Sequence, residues 1–160
     1  MLKKYLIVFL VSMVPIVELR GAVPIGTGMD LPWYSVLIIA MIGNMIPVPF
    51  IFLFARRILE WGAKFDNKPG AFFRWCLEKG HRGGKKLTEK AGQSTYLALL
   101  LFVGIPLPGT GAWTGTLAAS LLDIGFKKSV IAVTLGVLLA GIIMGTVSAG
   151  AFGALGTIFS

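Results

Sequence analysis

Thiols, histidine and acidic side chains are all scarce in this chain, and each scarcity excludes something. The single Cys76 permits no disulfide within the chain, and with the single His81 it makes no metal set. Cys76, between Trp75 and Leu77, is read as a packing residue, and His81 as a solvated one. Neither a metal nor any other cofactor is expected. The sequence offers no nucleophile–base pair, no paired carboxylates and no phosphate-binding loop, so it is not expected to be an enzyme. Charge is also missing over long distances: none occurs across 31–55, 91–122 or 129–160. Each gap exceeds the roughly 20 apolar residues that a helix needs to cross a bilayer.

What fills those gaps is apolar. Hydrophobic residues make up 56% of the 160 and the mean hydropathy is +0.83. A soluble domain of this composition has too little polar surface to cover itself. The net charge of +8 is concentrated rather than spread. Ten Lys or Arg against four Asp or Glu stand at 56–90, a local balance of +6 flanked by apolar runs. No nucleic-acid-binding module accompanies this charge, so nucleic acid is not an expected partner. A basic block beside apolar runs holds a loop on the cytoplasmic side, near anionic headgroups.

The expected organisation is one membrane domain over 1–160 in the inner (cytoplasmic) membrane. Lys3 and Lys4 before an apolar stretch have the outline of a signal peptide, but no small-residue cleavage site follows directly and the segment is expected to be retained. The stretch is too short to span and carries Pro15, Gly21, Pro24, Gly26 and Gly28 as breaks, which predicts a re-entrant hairpin over 5–28. Trp33 and Tyr34 then open a crossing over 33–54 that ends at Arg56-Arg57, with a kink expected near Asn44, Pro47 and Pro49. At 56–90, Trp61, Phe65, Phe72, Phe73 and Trp75 interleave with Lys64, Lys68 and Arg74, as in a segment lying in the interface plane. Gly80-His81-Arg82-Gly83-Gly84 within it is read as a loop.

The uncharged run at 91–122 is too long for one crossing, about 48 Å at 1.5 Å per residue, and too short for two. Its centre, Gly104-Ile105-Pro106-Leu107-Pro108-Gly109-Thr110-Gly111, does not continue a helix. A second re-entrant hairpin over 94–120 is therefore expected, followed by a crossing over 129–147. The fold class read from this pattern is an all-α integral membrane protein, with two re-entrant hairpins and two crossings in an inverted repeat. In that arrangement Lys3 and Lys4 lie outside, against the positive-inside tendency. Gly141, Gly145, Ala149 and Gly153 form a small-residue stripe suited to close helix packing, within the chain or between copies, and a homo-oligomer, a dimer, is expected.

Glu18 and Arg20 carry the sharpest chemical signal, because charge inside an apolar hairpin is costly and usually faces a partner or a wet cavity. Glu18 is read as a reversible proton acceptor, since removal from water penalises its charge. Arg20 is read as a binder of an anionic headgroup or phosphate. The plain alternative is that both anchor the hairpin at the interface. They converge if the backbone unwinds near Gly21. The second tip contributes backbone amides after Gly109, hydroxyls of Thr110, Thr114 and Thr116, and the Trp113 wall. Together with Gly111 these make an anion-binding tip or, equally, a packed turn. Asp123 is expected to pair with Lys127 at i+4.

The segments Glu18-Leu-Arg-Gly-Ala-Val-Pro24-Ile-Gly26 and Gly104-Ile-Pro106-Leu-Pro108-Gly109-Thr-Gly111-Ala-Trp113-Thr-Gly115 resemble the putative small multidrug export protein family of prokaryotes. The likeness covers nearly the whole chain in the length and order of its segments. More remotely the chain is similar to the DedA superfamily, whose two opposed re-entrant hairpins are implicated in moving lipids across membranes. That resemblance implies an active acidic residue in the first hairpin, here Glu18, and arginines in the second. The second hairpin here has none, which leaves Arg20 as the candidate for that charge. The expectation is thus a transporter of an amphipathic small molecule, an anionic lipid or a lipophilic drug, coupled to protons through Glu18. An uncoupled lipid scramblase and a non-transporting scaffold are the rival readings.

Overall fold

The computed structural model describes residues 1–108 and 110–158, with side chains except at 80, 83, 84, 86–88 and 152–158. Gly109 of the expected second tip falls outside what is described, and of the stripe's Gly153 only its place in the last helix is described. Among the described residues there are eight α-helices and no strand.

The chain opens with α1 (Leu2–Ser12) and α2 (Glu18–Gly28), folded back on each other. The Lys4 ammonium donates to the Met29 carbonyl at 2.6 Å and ties the start of α1 to the end of α2. Pro15 separates them, since its ring and missing N–H prevent α1 from continuing. The other expected breaks do not break the chain: α2 runs through Gly21, Pro24 and Gly26. The single donor lost at Pro24 is tolerated, and the glycines serve packing. A Cβ at Gly26 would stand 2.6 Å from a Val36 methyl and 2.8 Å from Val8, so α2 reaches both neighbouring helices there. Accordingly no unwinding near Gly21 brings Glu18 and Arg20 together.

Helix α3 (Trp33–Met45) and helix α4 (Pro47–Gly62) form one 30-residue rod, interrupted at Ile46 where Pro47 and Pro49 withhold their N–H groups. The interruption lies where the sequence predicts a kink, but the rod continues to Gly62 instead of ending near 54. Helix α5 (Lys68–Ala91) follows as an unbroken element. Its path corrects the loop expected at 80–84. Isolated glycines cost a helix only about 1 kcal/mol each, and the i,i+4 pairs Glu78–Arg82 and Lys85–Glu89 bracket them.

The uncharged run at 91–122 is two short helices, α6 (Ser94–Gly104) and α7 (Ala112–Leu121), on either side of an irregular tip. The final helix, α8 (Phe126–Ile158), is longer than the expected crossing. It packs along α6, where a Cβ at Gly136 would lie 2.7 Å from the Leu100 carbonyl oxygen. Two members of the small-residue stripe are used inside the chain: Gly141 receives Leu37 and Leu19, and Gly145 receives Trp33.

Each helical pair packs on the long helix that follows it, α1 and α2 on α3, α6 and α7 on α8. The second member of each pair also crosses over, α2 to α8 and α7 to α4. Ser120 of α7 donates to the Phe52 carbonyl of α4 at 2.7 Å. The shared core is built from small apolar side chains such as Val8, Leu19, Ala22, Val36, Val103 and Val137. Only 39% of the most apolar stretch of each long helix is buried in the fold. The rest, including Ile38, Ile42, Phe50, Ile131 and Leu135, faces outward. An apolar girdle of that extent is what lipid solvates and water does not.

Candidate functional site

The tip between α6 and α7 has a backbone problem that its own residues solve only in part. Helix α6 ends with carbonyls lacking intrahelical partners, and α7 begins with free N–H groups. In an apolar medium each such group is costly when unpaired. Both ends are completed by α2.

Glu18 does so for the start of α7. It opens α2 with φ +50° and is only 4% exposed. Its carboxylate accepts from the backbone amides of Ala112 and Trp113, both at 3.0 Å. The negative charge therefore sits at the positive end of the α7 dipole. Gly111, with φ +142°, makes the approach possible: a Cβ there would fall on the Glu18 carboxylate.

Arg20, two residues after Glu18 in α2, completes the end of α6. One terminal nitrogen, Nη1, donates to the carbonyls of Leu107 at 2.6 Å and Thr110 at 2.8 Å. The other, Nη2, donates to Val103 at 2.9 Å and Ile105 at 3.1 Å. A planar fork of donors against four converging carbonyls is an arrangement that a lysine does not reproduce. The Nε of Arg20 is buried without a partner among the described residues. Glu18 and Arg20 thus meet the opposite tip, not each other.

The remaining expected site residues divide. Thr110 is part of the tip, its hydroxyl donating to Leu107 at 2.8 Å and Ile105 at 3.0 Å. Trp113 contributes its amide to Glu18, while its indole N–H is buried without a partner among the described residues. Thr114 is exposed and turns its hydroxyl to the Gly111 carbonyl at 3.4 Å. Thr116 is buried and its hydroxyl likewise has no partner among the described residues. Beside these groups lies a cavity of about 250 Å³, lined by Ile16, Glu18, Arg20, Leu107, Thr110 and Met144 among others.

Sequence reasoning missed the main recipients of the Arg20 donors, the carbonyls of Val103, Ile105 and Leu107. A signal was present: an irregular stretch in an apolar run obliges some side chain to satisfy its backbone. It also misassigned Asp123, which does not pair with Lys127. Asp123 adopts φ +56° in the turn before α8, so the two residues share no helix and the i,i+4 geometry does not exist. It accepts instead from Arg56 of α4 and lies 3.2 Å from His81 Nδ1 of α5; Arg56 also reaches Glu60 at 2.9 Å.

Outward-facing apolar helices with a charged, buried joint between two helical pairs define a helical membrane protein. Comparison with known proteins agrees. The chain belongs to the putative small multi-drug export protein family, whose sequence profile it matches over residues 18–143. The matched stretch begins at Glu18 and takes in the whole tip. No curated protein and no solved structure matches the chain significantly.

Proposed function

We propose that this protein is an inner-membrane transporter of an amphipathic small molecule, an anionic lipid or a lipophilic drug, coupled to protons at Glu18. In this reading the α1–α2 and α6–α7 pairs are re-entrant hairpins entering from opposite sides, the two halves form an inverted repeat, and the basic segment at 56–90 is cytoplasmic. The protein works as a homodimer and performs no catalysis. The reciprocal packing of α2 on α8 and α7 on α4 supports the repeat.

One observation carries the proposal: among the described residues, the hydrogen bonds by which Glu18 holds the second tip are those from two backbone amides. A protonated carboxyl keeps its carbonyl acceptor but loses the charge that strengthens both bonds, and hydrogen bonds to charged groups contribute about 1.5–3 kcal/mol each. Proton uptake therefore loosens the grip on α7, whereas the four hydrogen bonds of the Arg20 clasp involve no atom of Glu18. The tip then separates from α2 beside the cavity of about 250 Å³, and the amides of Ala112 and Trp113 become available to an anionic group.

The test is flux in proteoliposomes under an imposed pH gradient, with a fluorescent lipophilic cation and a fluorescent phosphatidylglycerol analogue as separate cargoes. Gradient-driven movement of one of them, lost in a folded Glu18→Gln protein, is expected. Lipid movement indifferent to the gradient identifies a scramblase. Absence of flux for both, with Glu18→Gln altering only stability, identifies a scaffold and overturns the proposal.

A further inference from the structure

A second site lies on the surface of the molecule between α6 and α8, away from the Glu18–Arg20 joint. A groove of about 380 Å³ opens between Gln93, Tyr96 and Leu100 on one side and Lys128, Ile131 and Leu135 on the other. Its two ends differ chemically. The Lys128 ammonium stands 5.4 Å from the centroid of the Tyr96 ring, with Gln93 beside it, so cation, phenol and amide share the mouth. Beyond them the walls are aliphatic, through Leu97 and Leu100 over one turn of α6 and through Ile131, Ala132 and Leu135 over two turns of α8, about 6 Å and 10 Å at 1.5 Å per residue. No acidic side chain lines it. The acids nearest along the chain are engaged elsewhere, Glu89 with Lys85 and Asp123 with Arg56 and His81.

A cationic, hydrogen-bonding mouth at the end of an apolar trough on a lipid-facing surface selects a molecule of matching polarity. We propose that this groove is a binding site for an anionic membrane phospholipid. One acyl chain lies against Leu100, Ile131 and Leu135, and the phosphate meets Lys128 and the Tyr96 hydroxyl. Close packing of α6 on α8 at Gly136 and Gly104 closes the floor of this face, so the occupant lies on the surface and does not pass between the helices. The bound lipid would brace the α6–α8 pair from outside, and the site exists whether or not the chain transports.

The experiment is native mass spectrometry of the full chain released from detergent, titrated with dioleoyl phosphatidylglycerol or dioleoyl phosphatidylcholine. Retention of the anionic lipid above the zwitterionic one is expected. Lys128→Gln should weaken phosphatidylglycerol binding about five-fold, the effect of one basic side chain near an anionic headgroup. Lys127→Gln removes the same charge one residue away, off the groove, and should leave binding unchanged. Ile131→Trp, at an exposed wall position, should reduce retention of both lipids by filling the trough. Unaltered helix content by circular dichroism establishes that each variant is folded. Equal losses in the two lysine variants would reduce the effect to general surface charge and overturn the site. So would equal retention of the two lipids, or an Ile131→Trp protein that binds as the parent does.

Discussion

Gly111 and Glu18 approach so closely that no side chain fits at position 111 beside the carboxylate. A methyl at position 111 collides with the carboxylate and also imposes a φ of +142° on a residue with a side chain. Gly111→Ala is expected to lower stability by about 1–3 kcal/mol, read as the midpoint of denaturant unfolding in mixed micelles. Arg20→Lys tests the fork. It keeps the charge but has three donors on one nitrogen, too few and too compact for four carbonyls. A loss of about 2 kcal/mol is expected from the same measurement; a lysine protein as stable as the parent would show that charge alone holds the tip. That Glu18 and Arg20 matter was legible in the sequence, because charge inside an apolar run is conspicuous. Their partners were not, because backbone carbonyls and amides carry no residue signature and lie some 90 positions away.

At the scale of helices, closeness is set by where glycine falls. Gly136 admits the Leu100 carbonyl and Val103 of α6, whereas Gly150 has nothing within 4 Å. Gly136→Val should therefore force α6 from α8 and cost about 1–3 kcal/mol, while Gly150→Ala should be neutral or slightly stabilising. Thermal unfolding followed by size-exclusion chromatography separates the two outcomes. The tie of α5 to the turn before α8 is of a different kind. Arg56, Asp123 and His81 are all more than a third exposed, so Arg56→Gln should shift stability by no more than about 1 kcal/mol. Helix α5 also shows where reading the sequence by its breakers fails. Glycines at 80, 83 and 84 read as a loop, yet glycine weakens a helix without ending it, and α5 continues through them from Lys68 to Ala91.

For the molecule as a whole, the apolar girdle and the basic helix imply an orientation. The lone thiol reports it: Cys76, on α5, is partly accessible. In intact cells an impermeant maleimide should leave Cys76 unlabelled until lysis; labelling from outside would place the basic segment on the opposite face.

Composition and spacing by themselves determined that the chain is helical and apolar enough for lipid, that it turns near Pro15 and near Pro106-Pro108, and that Glu18 and Arg20 are costly where they stand. Those properties are local, since they follow from charge, ring closure and run length. Only the tertiary structure decided that α2 continues through Pro24, that Asp123 faces Arg56, and that α2 closes the ends of α6 and α7. Such outcomes depend on which backbone groups remain unpaired once helices are laid side by side, and that accounting cannot be done one segment at a time.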